Sequence, residues 1–231
     1  MVNYMSTKAL VIGAGSGVGH ATVSALTAAG VPVVASGSER DATDPGHVAA
    51  LLTEADPDLI VVTAGTRPQM APIEEQSWES FSKPWNVDVK IAFEVGRAAL
   101  ARPLRPNSTV LIVSSGAGLD GSPLSGGYAG AKRTQMFLAE YFQRAADARG
   151  LSIRFLALAP RQFLVGTAIG DAAAVAYSAG TGLSVEDFMK KRFPAPLDAA
   201  DVASAIVSIV SGKEHRKETL LGVTGNGLEV V

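Results

Sequence analysis

The chain has 231 residues, 47% hydrophobic and 18% charged, with a formal net charge of −2. Length and composition predict one α/β domain over residues 1–231. Positive and negative residues are interspersed, so the sequence has no basic stretch of the kind that binds nucleic acid or an anionic membrane. The lack of cysteine excludes disulfides, thiolate catalysis and cysteine-based zinc sites, so no metal is expected. With no signal-peptide pattern and no apolar run long enough for a membrane span, we expect a cytoplasmic protein.

The first predicted element is a short buried strand over 8–12, which ends in the glycine-rich run G-A-G-S-G-V-G before an alanine-rich helical stretch. A strand, a glycine turn and a helix in this order form the context of a phosphate-binding turn. Glycine allows close backbone approach, and the helix N-terminus offers free N–H groups to a pyrophosphate. The spacing is G-x-x-x-G-x-G rather than G-x-G-x-x-G. The residues expected to hold a dinucleotide here are Gly13, Ser16, Gly17, Val18 and Gly19.

The end of the second predicted strand, over 31–35, bears on the choice of cofactor. An NAD-binding unit places an acidic residue about 20 residues after the glycine turn, where it holds the ribose 2′-OH. Here that position falls near Gly37, which has no carboxylate. The neighbouring residues that could donate to a 2′-phosphate are Ser36, Ser38 and Arg40. They favour NADP, while Glu39 lies close enough to keep NAD as an alternative.

The remaining elements complete an α/β pattern in which the usual helix between the second and third strands is nearly absent. In chain order they are a helix over 46–55, a fourth strand over 59–62, a mainly helical stretch over 77–101, a fifth strand over 109–113, a helix over 128–149, a sixth strand over 153–159, a short helix from 184, a last helix over 198–210 and a seventh strand over 219–223. Pro84 bars an unbroken helix, so the main helix of its stretch is placed from about Trp85. Residues 161–183 are interpreted as loop-like or loosely helical, within a lid over 161–193. The predicted fold is a single-domain Rossmann fold with a doubly wound, mostly parallel seven-stranded sheet and helices on both faces.

Tyr128 and Lys132 stand four residues apart at the start of a predicted helix, so they share a face. A cation held beside a phenol favours the phenolate, and one charge at about 4 Å supplies about 4 kcal/mol at an effective dielectric near 20. The spacing alone is equally typical of a solvated helix face. The fifth strand, however, delivers Ser114 and Ser115 at its C-terminal end, and ligands bind at that edge of open parallel sheets.

Six motifs then occur in one order: G-A-G-S-G-V-G at 13–19, D-A-T-D at 41–44, T-A-G at 63–65, W-N-V at 85–87, V-S-S at 113–115 and Y-A-G-A-K at 128–132. In this order the chain resembles the short-chain dehydrogenase/reductase family over nearly its whole length. Ser115 also precedes Tyr128 by the interval usual in that family.

The resemblance implies a role for each of four catalytic residues. Tyr128 would be the general acid in carbonyl reduction and the base in alcohol oxidation. Lys132 would favour its phenolate and hold the nicotinamide ribose, and Ser115 would hydrogen-bond the reacting oxygen. Asn86, at the position of the family's helix asparagine, would support a water-linked proton relay toward Lys132; the alternative is a plain buried polar group.

The resemblance also extends the set of expected cofactor contacts. These are Asp41 on the adenine side, Ala64 and Gly65 after the fourth strand, and Pro160 and Thr167 after the sixth. Two departures stand out: Arg161 follows Pro160 where the family has glycine, with Thr167 late, and the region after the second strand is shortened.

We therefore expect an NADP(H)-dependent oxidoreductase that interconverts a carbonyl and an alcohol on a small molecule. The alternative is a nucleotide-binding sensor or scaffold of the same fold, although such proteins tend to lose the serine, tyrosine or lysine. A sugar epimerase or dehydratase would need a larger C-terminal domain. A homodimer or homotetramer is expected through the helices near 85–101 and 128–149, which carry more apolar side chains than one core face needs: Phe93, Leu100, Met136, Phe137, Tyr141 and Phe142.

Overall fold

A computed structural model describes residues 7–212 and 217–231, so most of the N-terminal stretch judged for a signal peptide lies outside the described residues. The described chain forms one sheet of seven strands in the order β2-β1-β3-β4-β5-β6-β7. Their bounds are β1 Ala9–Ile12, β2 Val33–Ser36, β3 Leu59–Val62, β4 Thr109–Val113, β5 Arg154–Pro160, β6 Leu220–Thr224 and β7 Gly227–Val230. The strands from β1 to β6 are parallel, and β7 pairs antiparallel with β6.

The predicted count of seven strands is confirmed, but their identities differ. In the described residues no strand lies between β2 and the helix that starts at Pro45, so the strand predicted as the fourth is the third. The seventh strand is the C-terminal β7, which the prediction missed. Gly225-Asn226 stands between β6 and β7, and Gly-Asn between two short runs is a hairpin-turn signal.

The helices cover both faces of the sheet. They are α1 Gly17–Ala28, α2 Pro45–Ala55, α3 Trp78–Pro84, α4 Lys90–Ala101, α5 Ala117–Asp120, α6 Gly126–Ala148, α7 Ala168–Ser178, α8 Val185–Arg192 and α9 Ala199–Ser211. Alternate residues of the buried strands point to opposite faces, and two apolar clusters result. One packs the sheet against α2, α4 and α6, and the other packs it against α1 and α9. The predicted doubly wound Rossmann architecture is thereby confirmed.

Pro84 is accommodated inside a continuous helical stretch rather than at its start. The helix begins at Trp78, where Ser77 accepts a hydrogen bond from the backbone N–H of Ser80. Proline lacks the N–H that an α-helix needs, and a π-helical turn over Trp85–Val89 follows it before α4 resumes. Such turns are rare and often lie at functional sites. This one brings Asp88 into the core, where it is fully buried.

The lid segment is more regular than predicted. Thr167 caps α7 by accepting a hydrogen bond from the backbone N–H of Gly170, and Ser184 caps α8 in the same way from Asp187. The alanine-rich sequence of α7 explains the first helix, because alanine has the highest helix propensity. Within the residues that the structure describes, no helix is long and apolar enough to cross a membrane.

Candidate active site

A cavity of about 1080 Å³ opens at the carboxyl edge of the sheet. It lies where β1 is flanked by β2 on one side and β3 on the other, so that the chain reverses direction across the sheet. Ligands of open α/β sheets bind at such a switch point. The cavity is walled by the glycine turn, by the ends of β3, β4 and β5, and by the lid.

Sixteen of the eighteen residues proposed from the sequence line this one cavity, and two do not. Those that line it are Gly13, Ser16, Gly17, Val18, Gly19, Gly37, Ser38, Arg40, Asp41, Ala64, Gly65, Ser115, Tyr128, Lys132, Pro160 and Thr167. Asn86 is exposed and outside it. Ser36 is buried in β2, where its carbonyl oxygen accepts hydrogen bonds from the N–H groups of Gly13 and Ala14. Ser36 therefore supports the glycine turn through its backbone and does not contact the cavity.

The glycine turn is packed so closely that side chains are excluded at two of its positions. A Cβ at Gly13, whose φ is +96°, would lie 2.3 Å from the backbone nitrogen of Ala64. A Cβ at Gly19 would lie 2.0 Å from the carbonyl oxygen of Gly13. The N-cap of α1, Ser16, makes no capping hydrogen bond through its side chain, so the first N–H groups of α1 are not capped. A backbone cradle with open helix donors fits a pyrophosphate.

Near Gly37, at the end of the cavity where the adenosine ribose is expected, two side chains bear on the choice between NAD and NADP. Glu39 folds back so that its Oε1 accepts the N–H of Gly37 at 2.7 Å, and it does not line the cavity. Backbone hydrogen bonds from its own N–H and from Gly37 hold the pKa of Glu39 below its usual value. Arg40 does line the cavity, and its Nη1 lies 2.6 Å from Oε2 of Glu54. A hydrogen bond from the backbone N–H of Thr43 lowers the pKa of Asp41, which also lines this end.

The catalytic wall is built by the end of β4 and the first turns of α6. Tyr128 and Lys132 are both buried, and Nζ of Lys132 lies 5.4 Å from the centre of the Tyr128 ring. Ser114 donates from Oγ to the carbonyl oxygen of Lys132 at 2.8 Å, which ties β4 to α6. Ser115, one residue on, lines the cavity and accepts the N–H of Ala117 through its Oγ. Both serines line the cavity, but the hydroxyl of Ser114 is used in the hydrogen bond to Lys132, so Ser114 has a structural contact that Ser115 lacks.

Asp88 lies beside Lys132, and the sequence interpretation missed it. Its Oδ2 is 3.3 Å from Nζ of Lys132, and both side chains are almost completely buried. Its Oδ1 accepts the backbone N–H of Thr66 at 2.7 Å. A Cβ at Gly65 would lie 2.7 Å from Oδ2, so the close approach of the β3 loop to this carboxylate requires glycine. A carboxylate at helical spacing from the apolar residues of a buried helix face is the sequence signal that would have found it.

Arg161 stands where the sequence pattern that this chain resembles has glycine, and its side chain is held by two ion pairs. Its Nη1 lies 2.9 Å from Oε1 of Glu229 in β7, and its Nη2 lies 3.4 Å from Oδ2 of Asp120 in α5. The hydrogen bond to Glu229 is the largest cause of the raised pKa of Arg161. The guanidinium therefore joins the end of β5 to α5 and β7, neither of which the sequence interpretation contained.

The lid closes over the cavity through aromatic contacts and a hydroxyl group. The hydroxyl of Tyr177 in α7 is 2.6 Å from Oγ of Ser122 and accepts the N–H of Leu124. Phe163 packs against Tyr177 and against Phe193, with ring centres 5.3 and 5.4 Å apart. The large apolar and aromatic lid residues that line the cavity are Phe163, Leu164, Ile169, Tyr177 and Phe193.

No family model and no curated protein matches the sequence. Solved structures do match. The chain is 23% identical to a short chain dehydrogenase from Mycobacterium avium over 97% of this chain and 84% of that one, with a TM-score of 0.70. It is 19% identical to a variant of actinorhodin polyketide ketoreductase with NADPH, over 98% of both chains, with a TM-score of 0.78. It is also 19% identical to an NAD⁺-bound xylitol dehydrogenase, over 95% of this chain and 98% of that one, with a TM-score of 0.77. The chain has the fold of the short-chain dehydrogenases/reductases.

Proposed function

We propose that this protein is an NADP(H)-dependent oxidoreductase that interconverts a carbonyl and an alcohol on a small molecule. One observation carries the proposal: Ser115, Tyr128 and Lys132 line the same cavity wall, facing a glycine turn that fits a dinucleotide. The solved structures of this fold include dehydrogenases and reductases with NADPH or NAD⁺ bound. The described fold would act as a single nucleotide-binding domain, and the proposed location is the cytoplasm.

Each group of the wall has a chemical task in this proposal. A bound nicotinamide would supply or accept the hydride. Tyr128 would give a proton to the carbonyl oxygen during reduction and take it back during oxidation. Ser115 would donate a hydrogen bond to the same oxygen and stabilise its developing negative charge. The Lys132 cation, held 5.4 Å from the Tyr128 ring centre, would favour the phenolate and hold the ribose.

The other cofactor contacts follow the cavity from one end to the other. The turn from Gly13 to Gly19 would hold the pyrophosphate through backbone N–H groups, and Asp41 would contact the adenine side. Ala64 and Gly65 would contact the cofactor through their backbone atoms. Pro160 and Thr167 would lie next to the nicotinamide.

The choice of NADP over NAD is carried by Arg40. Its guanidinium lines the cavity, and its five N–H donors are not exhausted by one ion pair with Glu54. A 2′-phosphate carries close to two negative charges and forms charge-assisted hydrogen bonds with such a group. Glu39 supports the NAD alternative, because a carboxylate repels the phosphate and accepts the ribose hydroxyls.

We also propose that two copies of the chain pair through α4 and α6. Phe93, Phe137 and Tyr141 are exposed on these helices, and the rings of Phe137 and Tyr141 stack 5.8 Å apart. Met136 and Phe142 are instead buried in the core. A second copy would cover these three exposed aromatic side chains.

The proposed activity is tested by mixing purified protein with NADPH and a panel of ketones, aldehydes and quinones while following cofactor absorbance. Substrate-dependent NADPH oxidation supports the enzyme. Tight NADPH binding with no turnover on any compound of a broad panel would favour the alternative, a nucleotide-binding sensor or scaffold.

A further inference from the structure

The side chain of Lys132 is surrounded by buried polar groups, and one of them, Asp88, has no role in the proposed function described above. The ammonium group of lysine has three N–H donors. Two find protein acceptors: Oε1 of Gln135 at 3.0 Å and the carbonyl oxygen of Val113 at 3.4 Å. Gln135 is itself fixed, since its Nε2 donates to the carbonyl oxygen of Asp88 at 3.0 Å. The lysine is thereby oriented while one donor stays available to the cavity.

The carboxylate of Asp88 acts on this group through charge rather than through a hydrogen bond. Oδ2 lies 3.3 Å from Nζ of Lys132 and has no hydrogen-bond partner. Both side chains are more than nine-tenths buried, so water screens their interaction little. A buried carboxylate is retained when an opposite charge lies beside it. Asp88 is the one acidic partner of Lys132 among the described residues, and the ring centre of Tyr128 lies 5.4 Å from the same Nζ.

We propose that Asp88 is a positioning residue that orients Lys132 and offsets part of the positive charge acting on Tyr128. The inference rests on the proposed function, in which Lys132 favours the Tyr128 phenolate. With Asp88 present, the net charge beside the phenol is smaller than a lone lysine would give. A smaller net positive charge beside the phenol favours the phenolate less, which suits Tyr128 to act as an acid in reduction.

The direct test is a spectroscopic titration, which needs neither cofactor nor substrate. The chain has four tyrosines, so the phenolate absorbance of Tyr128 is isolated by subtracting the titration of a Tyr128→Phe protein. Asp88→Asn keeps the side-chain shape and an oxygen for the N–H of Thr66 but removes the charge. We expect it to lower the midpoint of Tyr128 ionisation, because the cation beside the phenol is then uncompensated. For Asp88→Asn, the baseline to be subtracted is the titration of the double variant that carries both Asp88→Asn and Tyr128→Phe.

Two further variants control for a merely structural effect. Asn86→Asp adds a carboxylate two residues away on the exposed surface and should leave the midpoint unchanged. Gln135→Glu adds a negative charge next to Nζ of Lys132 and should raise the midpoint, the opposite direction to Asp88→Asn. It also keeps the proposal testable if the Asp88 variant does not fold, which circular dichroism and a thermal melt would show.

The pH–rate profile supplies the functional measurement. In Asp88→Asn, the alkaline limb of carbonyl reduction should move to lower pH together with the ionisation midpoint. A folded Asp88→Asn protein with an unmoved midpoint, or Gln135→Glu lowering it, would overturn the proposal. If the midpoint moves but no substrate is turned over by the wild-type protein, the charge effect of Asp88 stands and the proposed function fails.

Discussion

Gly13→Ala should destabilise the protein strongly, because the glycine turn leaves no room for one more carbon. The added Cβ would lie 2.3 Å from the backbone nitrogen and 2.6 Å from the Cα of Ala64, and neither is the end of a flexible side chain. The residue also has φ of +96°, which alanine rarely adopts. Backbone strain and overpacking each cost about 1–3 kcal/mol. We expect a loss of about 3 kcal/mol or more in the free energy of unfolding.

Gly15→Ala is the matched control in the same turn. A Cβ at Gly15 has nothing within 4 Å, and its φ is not in the left-handed region. Thermal unfolding monitored by circular dichroism should therefore show a melting temperature close to that of the wild-type protein for Gly15→Ala. For Gly13→Ala it should be lower by roughly 6–12 °C, at about 2–4 °C per kcal/mol for a chain of this size. Equal melting temperatures for the two variants would refute the account of the turn.

Two other properties can be tested by substitution. Arg40→Ala should weaken NADPH binding by roughly 10- to 100-fold, as expected for the loss of hydrogen bonds to a charged group, and should change NADH binding little. Glu54→Gln should strengthen NADPH binding, because it removes the carboxylate that pairs with Arg40. Isothermal titration measures both effects, and tighter binding of NADH than of NADPH by the wild-type protein would contradict the choice of NADP. Phe137→Glu, on the exposed face of α6, should lower the mass measured by light scattering at micromolar concentration to that of one chain, whereas a monomeric wild-type protein would contradict assembly through this face.

The local parts of the fold and site could be predicted because their signals lie within a few residues. The glycine turn sits between a strand and a helix, and the four-residue spacing of Tyr128 and Lys132 is set by helix geometry. Asp88 was missed for the opposite reason: its meaning depends on Lys132, which is distant in the sequence. The asparagine two residues earlier was chosen because W-N-V resembles the motif that carries the family's helix asparagine, and the structure places it on the surface.

Longer-range pairings also explain the other differences. Ser36 has the right residue type for a phosphate donor, but its place as the last residue of β2 points it into the core. Arg161 could not be understood without β7, because its partner Glu229 belongs to that strand. The segment that forms α7 was predicted to be loop-like or loosely helical because it is rich in both alanine and glycine, although only alanine favours a helix.

The central claim, that Tyr128 is the acid and base of a hydride-transfer reaction, is tested most directly by one comparison. Once a substrate is found, turnover is measured for the wild-type protein, for Tyr128→Phe and for Tyr141→Phe, which removes an exposed hydroxyl farther along the same helix. The account predicts that Tyr128→Phe retains NADPH binding but loses about 10²- to 10⁴-fold in kcat, while Tyr141→Phe is unaffected. A Tyr128→Phe protein with near wild-type turnover would contradict it.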